Sequence, residues 1–202
     1  MKRVLIANIF GIGDVLFTTP LAANLKNNPA GATVDYLCNA RARSVVENNS
    51  DIDEVFVYEK DDYLKLWRES KRDFFKSLCG LFLDIRRKQY DAVFDFTLSR
   101  KFGFFFMFAG ISNRIGLDYK NRGIFLTHKQ KLSGFENKHV VEYYLELLKC
   151  VNVRVSTRGM KLVPDENTRS WAERYLAAKG VQKGKFIAIV PGGGESWGRH
   201  AS

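Results

Sequence analysis

Val4-Leu5-Ile6-Ala7-Asn8-Ile9-Phe10-Gly11-Ile12-Gly13-Asp14-Val15-Leu16-Phe17-Thr18-Thr19-Pro20 decides how the rest of the chain is read. Residues 4–9 are short, β-branched and nearly unbroken, the pattern of a strand buried on both faces. Gly11 and Gly13 follow, and bare main chain lets another molecule approach closely. Val15, Leu16, Ala22, Ala23 and Leu25 then mark a helix. Asp14 therefore stands at a strand-to-helix switch. In open parallel sheets, ligands bind outside the carboxyl ends of the strands. Spacing alone leaves two readings of Asp14 open: a helix N-cap or a functional carboxylate.

Outward from this unit, strand-like and helix-like segments alternate. Residues 32–38, 54–58, 91–96 and 114–117 read as further strands. Residues 40–48 read as a short helix, and 63–88 as a long amphipathic one that Gly80 could interrupt. Residues 123–127 are extended. Helices are expected over 137–151 and over 165–179, the latter capped by Asp165 after Pro164. A new buried strand is expected over 185–190, running into Pro191-Gly192-Gly193-Gly194-Glu195-Ser196. Repeated strand–helix–strand units imply a parallel sheet with helices on both faces. The expected organisation is one complete Rossmann-like domain over residues 1–164. A linker helix and the first strand of a second domain would occupy 165–202. One strand cannot bury its own faces, so the reading expects a fragment.

Composition narrows the class. Hydrophobic residues make up 46% of the 202 and charged residues 27%, which fits a packed globular core. Three scattered cysteines, Cys38, Cys79 and Cys150, show neither metal spacing nor a disulfide framework, so a reducing cytoplasm is the default. The formal charge of +10 implies an anionic partner. No zinc spacing, heptad or aromatic–basic RNA motif accompanies it, so nucleic acid is not expected. The longest apolar run, residues 102–111, is about half the ~20 residues a spanning helix needs. It reads as a buried core helix. Its phenylalanines after Arg100 and Lys101 also suit an interfacial patch.

The glycine loop is a poor dinucleotide fingerprint. Leu16 stands where the third glycine of G-x-G-x-x-G belongs, and Asp35 lies inside the second strand, not at its end. No Gly-Lys-Ser/Thr follows, which excludes a P-loop. Thr18 and Thr19 could hydrogen-bond a ligand, or Thr19 could cap a helix with Pro20 in its first turn. His128 and His139 invite catalytic readings, and His139, which precedes a helix face, reads as structural. Gly192, Gly193 and Ser196 could offer main-chain amides to a diphosphate, or form a domain-joining turn.

The stretch Gly13-Asp14-Val15-Leu16-Phe17-Thr18-Thr19-Pro20 after the first strand resembles the N-terminal signature of the lipopolysaccharide heptosyltransferases, glycosyltransferase family 9. Tyr90-Asp91-Ala92-Val93-Phe94-Asp95 before Ser99-Arg100, Arg114-Ile115-Gly116-Leu117, and His139 to Leu148 are similar in order. Pro191-Gly192-Gly193 resembles the loop opening the family's second domain. The resemblance implies a GT-B fold with two Rossmann-like domains facing across a cleft. It implies inverting transfer of heptose from ADP-heptose to an inner-core glycolipid, with no cofactor and no bound metal.

Asp14 takes the role of general base from the resemblance. Gly13, Thr18, Thr19, Arg72, Arg100 and Arg114 become candidates for binding the acceptor. Among the arginines Arg114 ranks first, since it starts a strand near the cleft edge. Gly192, Gly193 and Ser196 become candidates for the donor. A helix N-terminus at Asp14 would hold its carboxylate ionised and oriented. The implied location is cytoplasmic, with peripheral contact at the inner membrane. As a fragment lacking most of the donor domain, the chain is expected not to turn over alone. The alternative class is a non-catalytic module that binds an anionic glycolipid or membrane surface.

Overall fold

Along the first strand, β1 (Arg3–Ala7), side chains alternate between two cores. Val4 and Ile6 join one, Leu5 and Ala7 the other, and all four are fully buried. The computed structural model describes residues 1–182 and 184–189. Five further strands follow: β2 (Thr33–Cys38), β3 (Glu54–Val57), β4 (Ala92–Asp95), β5 (Asn113–Tyr119) and β6 (His128–Leu132). They form one sheet in the order β3-β2-β1-β4-β5-β6, and every pairing is parallel. The order reverses direction at β1 and β4, which makes a topological switch point at their carboxyl ends.

The first core, the larger, lies under α1 (Ile12–Phe17), α2 (Thr19–Lys26), α3 (Arg43–Val46) and α7 (Val140–Glu146). The second lies under α5 (Lys71–Arg87) and α6 (Arg100–Phe108), through Ile85 and Phe106. α4 (Lys60–Glu69) completes the α4–α5 hairpin. The unit spanning Met1–Val163 is one compact body, and a second unit begins at Pro164. The second contains α8 (Glu166–Ala178), whose N-cap Asp165 accepts from the Thr168 amide at 2.9 Å.

Several expected elements are corrected. The helix expected over 63–88 is two helices, and the break falls at Ser70, not Gly80. Ser70 adopts extended angles, φ −153° and ψ 103°, and its hydroxyl accepts from the Asp73 amide as N-cap of α5. An internal glycine weakens a helix by only about 1 kcal/mol, so Gly80 is carried inside α5. The helix expected over 137–151 is α7 followed by a 3₁₀ segment, Leu147–Val151, ended by Asn152 in the left-handed region at φ 56°. The sixth strand lies at His128–Leu132, beyond the extended stretch expected at 123–127. Its sequence, HKQKL, has no apolar run because it is an edge strand blunted by charge. The phenylalanine helix α6 is only half buried: Gly103 and Phe106 face the core, while Phe104 and Phe108 are exposed. Residues 185–189 form no strand among the described residues, and Ile187 and Ile189 stand exposed, with no ladder partner to complete them.

Candidate active site

Each strand of a parallel sheet delivers the residue after it to the carboxyl edge. Register puts Ala7 beside Leu37 and Asp95, so Asp95, Asn8 and Asn39 fall at successive levels of that edge. The two asparagines tie the turn down. Asn8 is fully buried; its amide donates to the Asp14 main-chain carbonyl at 3.0 Å, and its side-chain oxygen accepts from the Phe10 amide at 3.1 Å. Asn39 donates from Nδ2 to the carbonyls of Ile9 and Phe10 at 3.0 and 2.7 Å. Residues 8–14 are thus held by side-chain amides on both sides. The glycine motif points to neither asparagine, although a polar amide directly after a buried apolar strand is a readable signal.

Asp14 is not the N-cap. Gly11 holds that position at φ −64° and ψ 171°, and Asp14 is the third residue of α1. Its carboxylate turns back toward Gly11, where an added Cβ would sit 3.6 Å from Oδ2. This is the returning half of a capping box. Burial raises the Asp14 pKa above the ordinary carboxylate value, and the Gly11 main-chain hydrogen bond only partly offsets it. The result is a stronger base than an exposed aspartate. The phenols of Tyr36 and Tyr144, both buried, lie close enough to feel the Asp14 charge. Next to Asp14, Gly13 is exposed, and a Cβ there would meet nothing within 4 Å. Gly11 and Gly13 avoid positive φ; what they offer is open main chain.

Thr18 and Thr19 are fully buried. The Thr18 hydroxyl donates to the Val15 carbonyl at 2.7 Å and pairs with the Tyr36 hydroxyl. The Thr19 hydroxyl donates to the Leu16 carbonyl at 2.8 Å and accepts from the Lys161 amide at 3.0 Å. Both hydroxyls face inward, where they join α1 to α2 and to the core.

Of the three arginines, Arg100 opens α6 after β4, at the carboxyl edge, and donates to the Asn121 carbonyl at 3.1 Å. Arg72 lies exposed in the first turn of α5. Arg114 sits in the amino-terminal part of β5, level with Val93 and so with Leu5. A strand's start lies at the edge opposite to the ligand edge, which removes the argument that recommended Arg114. Its guanidinium donates to the carbonyls of Phe125 at 2.6 Å and Ile111 at 2.5 Å, joining β5 to the loops on either side of it. His139 caps α7, accepting from the Val141 amide, and its ring meets Phe17 edge-on at 5.2 Å. His128 is exposed. Gly192, Gly193 and Ser196 lie outside the described residues.

Asp95 is a further carboxylate at this edge that the sequence motifs do not mark as a candidate. It ends β4 beside the switch point, and burial raises its pKa to about 6, with Thr97 donating to Oδ1 from both amide and hydroxyl.

The glycosyltransferase family 9 (heptosyltransferase) model matches residues 79–196, more than half of the chain. The chain belongs to glycosyltransferase family 9. Solved structures agree on the fold. The glycosyl transferase family 9 protein from Veillonella parvula DSM 2008 superposes with a TM-score of 0.72 at 20% identity, over 94% of this chain and 54% of that one. E. coli heptosyltransferase WaaC with ADP-2-deoxy-2-fluoro heptose gives 0.65 at 20% identity, over 77% and 50%. E. coli ADP-heptose lps heptosyltransferase II gives 0.61 at 20% identity, over 91% and 52%. A comparison with curated proteins gives no match. This family 9 chain spans about half the length of the solved structures it resembles, and its six-stranded parallel sheet is a Rossmann-like domain of the GT-B fold. Among the described residues, no helix is long and apolar enough to cross a membrane, and no cluster of three or more His, Cys, Asp or Glu could hold a metal ion.

Proposed function

We propose that this chain forms the acceptor side of an inverting heptosyltransferase of lipopolysaccharide core synthesis. Asp14 is the general base. The observation that carries the reading is Asp14 itself: a carboxylate of raised pKa, fixed through Gly11 and Asn8, beside the open main chain of Gly13 at the switch point of the sheet. Ligand-bound relatives support the donor. One similar structure is described with ADP-2-deoxy-2-fluoro heptose, and another is an ADP-heptose heptosyltransferase.

In this reading a hydroxyl of the inner-core glycolipid lies against Gly13 and presents its proton to Asp14. As the hydroxyl oxygen forms its bond to the anomeric carbon, the bond from that carbon to the diphosphate breaks. Asp14 takes the proton and ADP leaves from the opposite face, so the anomeric centre inverts. A positioned base of this kind typically contributes about 10²–10⁴-fold. Desolvation helps, since a base of raised pKa accepts the proton more readily. Arg100 and Arg72 would meet acidic groups of the acceptor. Thr18 and Thr19 act from behind, fixing the turn that carries Asp14. Gly192, Gly193 and Ser196 would supply amides and a hydroxyl to the departing diphosphate.

The test is the pH dependence of transfer, in a form that spans the full length of its family 9 relatives. The rate should fall as pH drops through the Asp14 pKa, and that limb should lie above the usual aspartate range. Substitution Asp14→Asn should remove the limb along with most of the rate. An acid limb that survives in Asp14→Asn assigns the base elsewhere.

A further inference from the structure

Residues 153–165 adopt neither helix nor strand, and they lead from the unit that ends at Val163 to the second, which begins at Pro164. Connecting segments of this kind are ordinarily mobile surface chain. This one is fastened to α2 by two buried polar side chains.

Asn24 is the first. It is 1% exposed and uses both ends of its amide. Nδ2 donates to the Thr157 carbonyl and, within its own helix, to the Pro20 carbonyl, both at 2.7 Å. Oδ1 accepts from the Ser156 amide at 2.6 Å, the Ser156 hydroxyl at 3.0 Å and the Thr157 amide at 3.2 Å. An asparagine side chain offers two donors and one acceptor oxygen with two lone pairs. Asn24 is therefore fully engaged, and all but one of its bonds go to this segment. For packing alone an apolar residue would serve at position 24.

Thr19 is the second. Its hydroxyl donates to the Leu16 carbonyl in α1 at 2.8 Å and accepts from the Lys161 amide at 3.0 Å. Leu16 is two residues from Asp14. One hydroxyl thus joins the helix that carries the proposed base to the segment. Other ties are weaker or peripheral. The Arg158–Glu142 pair is exposed, where such pairs contribute little. The Lys161 ammonium donates to the Ser50 hydroxyl at 2.7 Å and to Asp51 at 3.0 Å.

Without these anchors residues 154–163 would behave as flexible chain. About ten such residues have a root-mean-square span of roughly 17 Å. Transfer needs its reacting atoms within about 3–3.5 Å, and a longer tether lowers the effective concentration of whatever it carries.

We infer that Asn24 and Thr19 are positioning residues for transfer, which fix the start of the second unit's chain to the helix pair that carries Asp14. The inference rests on the reading of Asp14 as the base, with the donor held beyond Pro164. Neither side chain touches substrate. Each acts by shortening the tether between the base and the donor side.

The experiment uses a form that spans the full length of its family 9 relatives. Asn24→Ala should lower kcat about tenfold or more. The affinities for ADP and for the inner-core glycolipid should stay as in wild type. Hydrogen exchange reads the anchor itself. The Ser156 and Thr157 amides should exchange about tenfold or more faster in Asn24→Ala, while the amides of β1 and β4 keep their protection. Thr19→Val removes the other hydroxyl with little change in volume. It should give the same split between kcat and affinity, with faster exchange at Lys161. Thr19→Ser keeps a hydroxyl and should restore both.

Unchanged exchange at Ser156 and Thr157 in Asn24→Ala overturns the inference. So does a wild-type kcat once those amides are exposed, or a loss of kcat matched by weaker glycolipid binding. A Thr19→Ser variant that behaves as Thr19→Val removes the hydroxyl from the account. The two readings fail separately. If the base lies elsewhere, Asp14→Ala keeps the wild-type rate, while the effects of Asn24→Ala on exchange and kcat remain.

Discussion

The Asn8 side-chain amide donates to the main-chain carbonyl of Asp14 at 3.0 Å, across the turn between β1 and α1. The strand end and the proposed base are therefore fixed to each other directly. Asn8 accepts from Phe10 with its other side-chain atom, so one buried residue ties both ends of the turn. Asn8→Ala should destabilise the fold by about 1–3 kcal/mol, the usual range when buried polar partners are stranded. Denaturant unfolding reads that loss. Transfer should fall further than stability predicts, because Asp14 loses its orientation. Wild-type stability and rate in Asn8→Ala would show that the turn is held by its backbone alone.

Asp95 gives a pH signature. Burial raises its folded pKa from 3.8 to about 6. A carboxyl whose folded pKa is raised contributes stability that is fully present below its unfolded pKa and lost as pH rises through the folded one. Its contribution should thus decline between about pH 4 and pH 6, by roughly 2–3 kcal/mol at most. Asp95→Asn keeps an oxygen for the two Thr97 donors. The variant should be more stable than wild type above pH 6 and should converge with it near pH 4. Unfolding midpoints measured across this window decide the point; a variant weaker at every pH contradicts the assignment.

Arg114 bears on how the site is drawn. Its guanidinium holds the carbonyls of Phe125 and Ile111, away from the ligand edge. Arg114→Ala should therefore lower stability by about 1–3 kcal/mol and leave the acceptor KM within experimental error in full-length transfer assays. A large rise in KM with unchanged stability would restore Arg114 to the acceptor site.

Much of this architecture is legible in the sequence, because central parallel strands announce themselves. Val4 to Ala7 and Ala92 to Phe94 are continuous apolar runs, and Val34 to Cys38 is interrupted only by Asp35; all are buried on both faces. The sixth strand is not legible for the opposite reason: an edge strand such as His128–Leu132 buries little and reads as polar loop. Ser70 breaks the long helix, although Gly80 looks the better breaker, because a capping hydroxyl stabilises a new helix start while an internal glycine only weakens an existing one. Gly116, within the Arg114-Ile115-Gly116-Leu117 motif, has a cause visible only in three dimensions. A Cβ there would come within 2.5 Å of the Asp95 carbonyl.

At the site, the position of Asp14 is readable from strand, glycines and helix onset. Its surroundings are not. Thr18 and Thr19 look like ligand hydroxyls in a linear motif, and only packing shows that they turn inward to Val15, Tyr36 and Leu16. Arg114 looks like an anion site until register places it toward the amino end of its strand. Asn8 and Asn39 act through main-chain carbonyls that no side-chain pattern reveals.

The central claim is that Asp14 removes the proton from the attacking hydroxyl. The most direct measurement is single-turnover heptose transfer by Asp14→Ala in a form spanning the family's full length, with acceptor binding measured in parallel. The account predicts a rate lower by about 10²–10⁴-fold with acceptor affinity retained. A rate equal to wild type, or a loss explained wholly by weaker acceptor binding, would contradict it.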